Sequence, residues 1–145
     1  MTLPNSQEQP AARPTSNGGW QSIMLPDAPT PKGAYSPGVR AGDLVFVSGQ
    51  VPRDPRTGEL VGDDIAEQTR QVLRNVRGVL EASGAAISDV VSVTVYLTDV
   101  DHWGTFDTVY RETFRPPYPT RTAVGASLRG ILIEISAVAY VSGRG

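Results

Sequence analysis

Cysteine is absent, and histidine and lysine occur once each, as His102 and Lys32. Without cysteine there are no disulfides, thiolate zinc sites, iron–sulfur clusters or Cys–His nucleophiles. One histidine cannot make a two-histidine metal site within a chain. Lys32 lies in a Pro/Gly-rich stretch, whereas a Schiff-base lysine needs a desolvated pocket. Net charge is scarce too: 13 basic and 15 acidic side chains leave −2, which supplies no broad attraction for nucleic acid or anionic membrane. No run of about 18 apolar residues exists to span a membrane. The N-terminus lacks the basic-then-apolar pattern of a secretory signal, so the expected location is the cytoplasm. Chemistry is left to Arg, Asp, Glu, Tyr, Ser, Thr and the backbone.

The 145 residues suit one domain, and a chain of about this length buries roughly 70% of its unfolded surface. Residues 1–19 are small, polar and proline-rich and read as a disordered tail, leaving a single domain over 20–145. Gln21–Leu25 is an apolar island able to add an edge strand. Val39–Arg40 and Leu44–Ser48 are strand candidates joined by a tight turn at Ala41-Gly42-Asp43.

Asp64 and Glu67 have capping-box spacing. Behind them Ile65, Thr69, Val72, Leu73, Val76, Val79 and Leu80 recur on one helical face, and Gly84 stands where a left-handed C-cap belongs. Gly78 inside this helix costs up to about 1 kcal/mol relative to Ala, which suggests a close packing contact. Arg70, Arg74 and Arg77 read as its solvated side. Val91, Val93, Val95 and Leu97 alternate with Ser92, Thr94, Tyr96 and Thr98 as a half-buried strand. A second helix is capped by Asp99 or Asp101, carries the stripe Trp103, Phe106, Tyr110 and Phe114, and stops at Pro116-Pro117. Arg121–Ser127 and Ile131–Val141 are the last strands. The order β-β-α-β-α-β-β predicts an α+β fold: a mixed sheet with two helices on one face. Ser92, Thr94, Tyr96, Thr98, Glu134, Ser136 and Tyr140 make the other face semi-polar without long charged side chains, as expected where it, or its rim, meets another subunit.

Two residues stand out. Arg121 enters its strand from a proline-stiffened segment; a fixed guanidinium there is either a bidentate receptor for a carboxylate or half of a structural salt bridge, with Glu134 as the obvious partner. Glu134 interrupts an apolar strand; it is either a proton-transfer group with a pKa raised by burial or that same partner. His102, without a nucleophile beside it, reads as a surface or helix-turn residue, and Asp63, Asp64, Asp99 and Asp101 as capping groups. The glycines at 38–42 and 125–130 fit neither a Walker loop nor a dinucleotide fingerprint, and there is no nucleophile elbow.

Several collinear segments resemble the Rid family (reactive intermediate deaminases, YjgF-like). They are Gly33-Ala34-Tyr35-Ser36-Pro37, Leu44 through Pro52, Asp54 through Val61, Glu67 through Val76, Pro119-Thr120-Arg121-Thr122, and Ile133 through Ala139. Together they cover about residues 22–141. The resemblance implies a chorismate-mutase-like fold, a homotrimer with clefts between subunits, and hydrolysis of small carboxylate-bearing enamines and imines to 2-keto acids and ammonia, with no cofactor or metal. It implies that Arg121 clamps the substrate carboxylate, that Glu134 orients or activates water, and that Tyr35, Ser48 and Gly49 line the cleft. Three positions depart from well-known members: Ala123 where Cys, Thr or Ser is common, Asp107 where Asn stands, and Tyr96 where Phe is frequent. These mark a divergent subgroup. A non-catalytic carboxylate-sensing module on the same cleft is the alternative; an RNA-directed role is opposed by the net charge.

Overall fold

The structure is a computed structural model that describes residues 16–143. Seven strands form one sheet: β1 Ser16–Asn17, β2 Trp20–Ile23, β3 Gly38–Ala41, β4 Leu44–Gln50, β5 Val90–Leu97, β6 Thr120–Gly125 and β7 Ile133–Tyr140. Their spatial order is β1-β2-β3-β4-β7-β5-β6. Only β5 and β6 run parallel; their crossover is helix α2, Trp103–Thr113. Helix α1, Ile65–Ala82, leads from β4 to β5. The mixed α+β sheet with two helices is as expected. Of the expected tail, residues 1–15 lie outside the described residues, while Ser16 and Asn17 pair with Gln21 and Trp20 in a short hairpin. No helix among the described residues is long and apolar enough to cross a membrane.

Local signals act as read. Asp64 caps α1 by accepting from the Glu67 N–H at 2.9 Å. The Glu67 carboxylate reaches back one residue further than a standard box, accepting from the Asp63 N–H at 3.0 Å. Gly84, at φ +82°, takes the left-handed conformation that ends the helix. The apolar face of α1 packs against Val45 and Val47 of β4 and Val93, Val95 and Leu97 of β5. Ile133, Ile135, Ala137 and Ala139 of β7 complete that layer, with Phe106, Tyr110 and Phe114 of α2 packed into the same cluster. Because side chains alternate along a strand, the other sheet face carries Leu44, Phe46, Tyr96, Val124, Glu134, Ser136, Val138 and Tyr140. Leu44, Phe46, Val124 and Tyr140 are exposed there.

Three expectations are corrected. Val91 does not join the buried row of β5: the register against β7 slips between Val90 and Ser92, so Val90 turns inward and Val91 is left exposed, as a bulge requires. Trp103 is exposed, and Val109 is buried on α2 in its place. Gly78 marks no close contact, since a Cβ built there meets nothing within 4 Å. Gly78→Ala should therefore stabilise the protein by up to about 1 kcal/mol through helix propensity alone, seen as a higher urea midpoint with an unchanged m-value; a lower midpoint would contradict the open environment at this position.

Candidate active site

Strand register decides which side chains meet. Arg121 pairs with Val93, whose side chain belongs to the helix-facing core, so Arg121 points toward α2. Its guanidinium lies 4.6 Å from the Tyr110 ring centre and 5.3 Å from those of Trp103 and Phe106. Guanidinium groups are weakly hydrated and favour such aromatic surroundings. The stripe read as core packing is thus also a mount for Arg121.

The ion-pair partner of Arg121 is Asp107, not Glu134. Arg121 Nη1 donates to Asp107 Oδ1 at 2.8 Å. Asp107 follows Phe106 and precedes Tyr110 by three on α2, so helical periodicity places it on the same side as the rings. Its second oxygen accepts from Arg111 Nε at 3.1 Å, four residues on. Arg111 in turn donates to the Tyr118 hydroxyl at 3.4 Å. The hydrogen bond from Arg121 is the main reason the Asp107 carboxyl is held below the usual Asp range; that from Arg111 adds to it, while burial opposes both. A pocket of about 260 Å³ opens here, lined by Asp107, Tyr110, Arg111, Tyr118, Pro119 and Arg121. Among the described residues Arg121 donates a hydrogen bond from Nη1 alone, which leaves its Nε/Nη2 edge for a ligand. Burial pushes the Tyr110 hydroxyl up to about 12, and that hydroxyl has no hydrogen-bond partner among the described residues. Ala123 lies two residues beyond Arg121 on the same strand face, packed against the core.

Glu134 belongs to a different cluster. It pairs with Tyr96 across β7 and β5, on the face away from the helices. Between Val47 and Gln50 the β4–β7 register shifts. Gly49, in this irregular stretch, leaves its backbone bare beside the carboxyl: a Cβ at Gly49 would overlap Glu134. Neighbouring Ser48 donates through Oγ to the Ser36 carbonyl at 2.6 Å, and its N–H donates to the Pro37 carbonyl at 3.0 Å. These bonds tie the end of the loop bearing exposed Tyr35 to β4. Glu134 has no hydrogen-bond or ion-pair partner among the described residues, and burial raises its pKa.

Of the residues expected in one site, Ser48, Gly49, Tyr96 and Glu134 gather in one cluster and Asp107, Arg121 and Ala123 in another, while Tyr35 is exposed on the loop ahead of Ser36. The anticipated Arg121–Glu134 pair is absent. Three residues of offset along the strands and two strand spacings across them put their Cα atoms roughly 14 Å apart, with the side chains on opposite faces. Trp103, Tyr110, Arg111 and Tyr118 were not expected at the site; the i,i+4 spacing of Asp107 and Arg111 is the sequence signal that could have suggested one of them. His102, half-buried, ends the turn before α2, and its buried Nδ1 has no hydrogen-bond partner among the described residues. No group of three or more His, Cys, Asp or Glu side chains that could hold a metal occurs among the described residues.

The raised pKa of Glu134 is also a stability statement. A carboxyl whose pKa is higher folded than unfolded contributes stability below its unfolded value and loses it as pH rises through the folded value. Glu134→Gln should therefore raise the thermal midpoint relative to wild type at pH 7–8 and leave it nearly unchanged at pH 4. An equal shift at both pH values would contradict burial as the cause.

The family described as Endoribonuclease L-PSP matches residues 25–141. A RutC family protein of Pyrococcus horikoshii is 47% identical over 120 residues, covering 81% of this chain and 95% of its own. A 2-iminobutanoate/2-iminopropanoate deaminase of Rattus norvegicus is 40% identical over 119 residues, covering 81% and 87%. The crystal structure of E. coli TdcF with bound serine superposes with a TM-score of 0.77 at 35% identity, covering 84% of this chain and 99% of that one. The chain belongs to the Rid family of YjgF-like, L-PSP-type proteins.

Proposed function

We propose that this protein is an enamine/imine deaminase that hydrolyses small 2-imino acids to 2-keto acids and ammonia, in a homotrimer whose clefts lie between subunits. The observation that carries this reading is the split site: an arginine with a free bidentate edge in a pocket on one sheet face, and an unpartnered, half-buried carboxylate on the other. Each is half of a hydrolytic centre, and a neighbouring copy is what can supply the missing half. The exposed apolar side chains Leu44, Phe46, Val124 and Tyr140 on the Glu134 face give such a copy a surface to bury.

The chemistry follows from these groups. Arg121 from one chain binds the substrate carboxylate through Nε and Nη2. Glu134 from its neighbour accepts a proton from water as the water oxygen bonds to C2 of the iminium. Glu134 returns that proton to the amine nitrogen, takes the hydroxyl proton as the C–N bond breaks and the C=O forms, and passes it to the departing ammonia: iminium and water give keto acid and ammonium. The backbone at Thr122–Ala123 accepts a hydrogen bond from the nitrogen, so no side chain is required at position 123. Tyr35, Ser48, Gly49 and Tyr96 wall the Glu134 side. Positioning and one acid/base group suffice because a C=N bond is already electrophilic. One observation favours the alternative, a binding module without turnover: Asp107 already occupies one nitrogen of the clamp. A net charge of −2 gives RNA no electrostatic footprint.

The test is keto-acid release from imines generated in place by an amino-acid oxidase, over a panel of amino acids. Wild type should accelerate release, and Arg121→Ala, folded and assembled as wild type, should lose about a hundredfold or more of kcat/KM. Saturable binding without acceleration would establish the binding module instead.

A further inference from the structure

The Arg121 pocket has an unusual charge balance. Two guanidinium groups, Arg121 and Arg111, border it, and one carboxylate, Asp107, lies between them with both oxygens engaged. Two positive charges less one negative leave a single positive charge, which matches one substrate carboxylate. Among the described residues this chain's lining offers no other cation: Tyr110, Tyr118 and Pro119 complete it. Asp107 bonds only Nη1 of Arg121, so the guanidinium can hold one carboxylate on its free edge while Asp107 stays in place. A second anionic group on the same ligand would meet an Arg111 already neutralised by Asp107, and the Asp107 charge itself.

We infer that Asp107 is a specificity residue that confines this site to monocarboxylate ligands with uncharged side chains and rejects dicarboxylates. This rests on the carboxylate-clamp reading of Arg121. Selectivity here comes from an introduced repulsion, not from a better contact to the favoured ligand. The low pKa of Asp107 keeps that repulsion in force at neutral pH. An asparagine at this position could still accept from Arg121 and would leave the pocket with two positive charges.

The experiment compares two keto acids of equal length that differ in one charge, 2-oxopentanoate and 2-oxoglutarate. They are titrated into the assembled full-length protein and followed by tryptophan fluorescence, since the Trp103 ring centre lies 5.3 Å from the Arg121 guanidinium. Wild type should favour 2-oxopentanoate by about fivefold or more, fivefold being the effect of one like charge at about 4 Å in bulk-water dielectric. In Asp107→Asn that preference should fall by about the same factor, because 2-oxoglutarate gains more. If the variant weakens or strengthens both ligands equally, Asp107 only positions Arg121 and the inference is wrong. Arg121→Ala separates the two levels of the argument. Loss of both ligands in that variant supports the clamp, so that an equal shift in Asp107→Asn sinks the specificity claim alone. Undiminished binding in Arg121→Ala, or no binding of either ligand to wild type, overturns the clamp and the inference together.

Discussion

Side chains alternate across a β-strand, and in this sheet that alternation separates the two groups best suited to chemistry. Register fixes Arg121 opposite Val93 and Glu134 opposite Tyr96, and Val93 and Tyr96 are three apart on one strand, hence on opposite faces. No rotamer change brings the guanidinium to the carboxylate within one chain. The helix-facing side is filled by the core, and Arg121 is admitted there only because Trp103, Phe106 and Tyr110 surround it and Asp107 pairs with it. Among the described residues no α-helix covers the opposite side. Its half-buried polar and apolar side chains and the carboxylate of Glu134 are what a second copy would cover.

The two clusters differ in electrostatic character. At Arg121 the charges are paired, aromatic faces replace water, and Asp107 is held ionised. At Glu134 a carboxyl is partly desolvated with nothing to compensate it, a cost that the fold tolerates and that a proton-transfer role would use. Gly49 shows how local the requirement is: β4 departs from regular pairing where a side chain would collide with Glu134. A strand that served packing alone would gain from a regular ladder and a β-branched residue there.

Much of the fold was legible in the sequence because its signals are local. The α1 cap, the left-handed Gly84 and the alternation of β7 each depend on residues a few positions apart. The Val91 bulge was not legible, because it is a property of pairing with β7 and not of the β5 sequence. The Arg121–Asp107 bond joins residues separated by 14 positions across the Pro116-Pro117 loop, and no periodicity links them; from sequence, Glu134 was an equally good partner. The resemblance to Rid proteins named Arg121, Glu134 and Asp107 as site residues. Their division between two sheet faces became visible only with the register.

Subunit complementation tests that division most directly. Arg121→Ala and Glu134→Gln chains, each inactive alone, are co-expressed with different tags and isolated as mixed trimers. If a site takes Arg121 from one chain and Glu134 from its neighbour, one site in three of every mixed trimer is intact, and about a third of wild-type activity should return. Mixed trimers as inactive as either parent would contradict the account, because they would mean that both residues must come from the same chain.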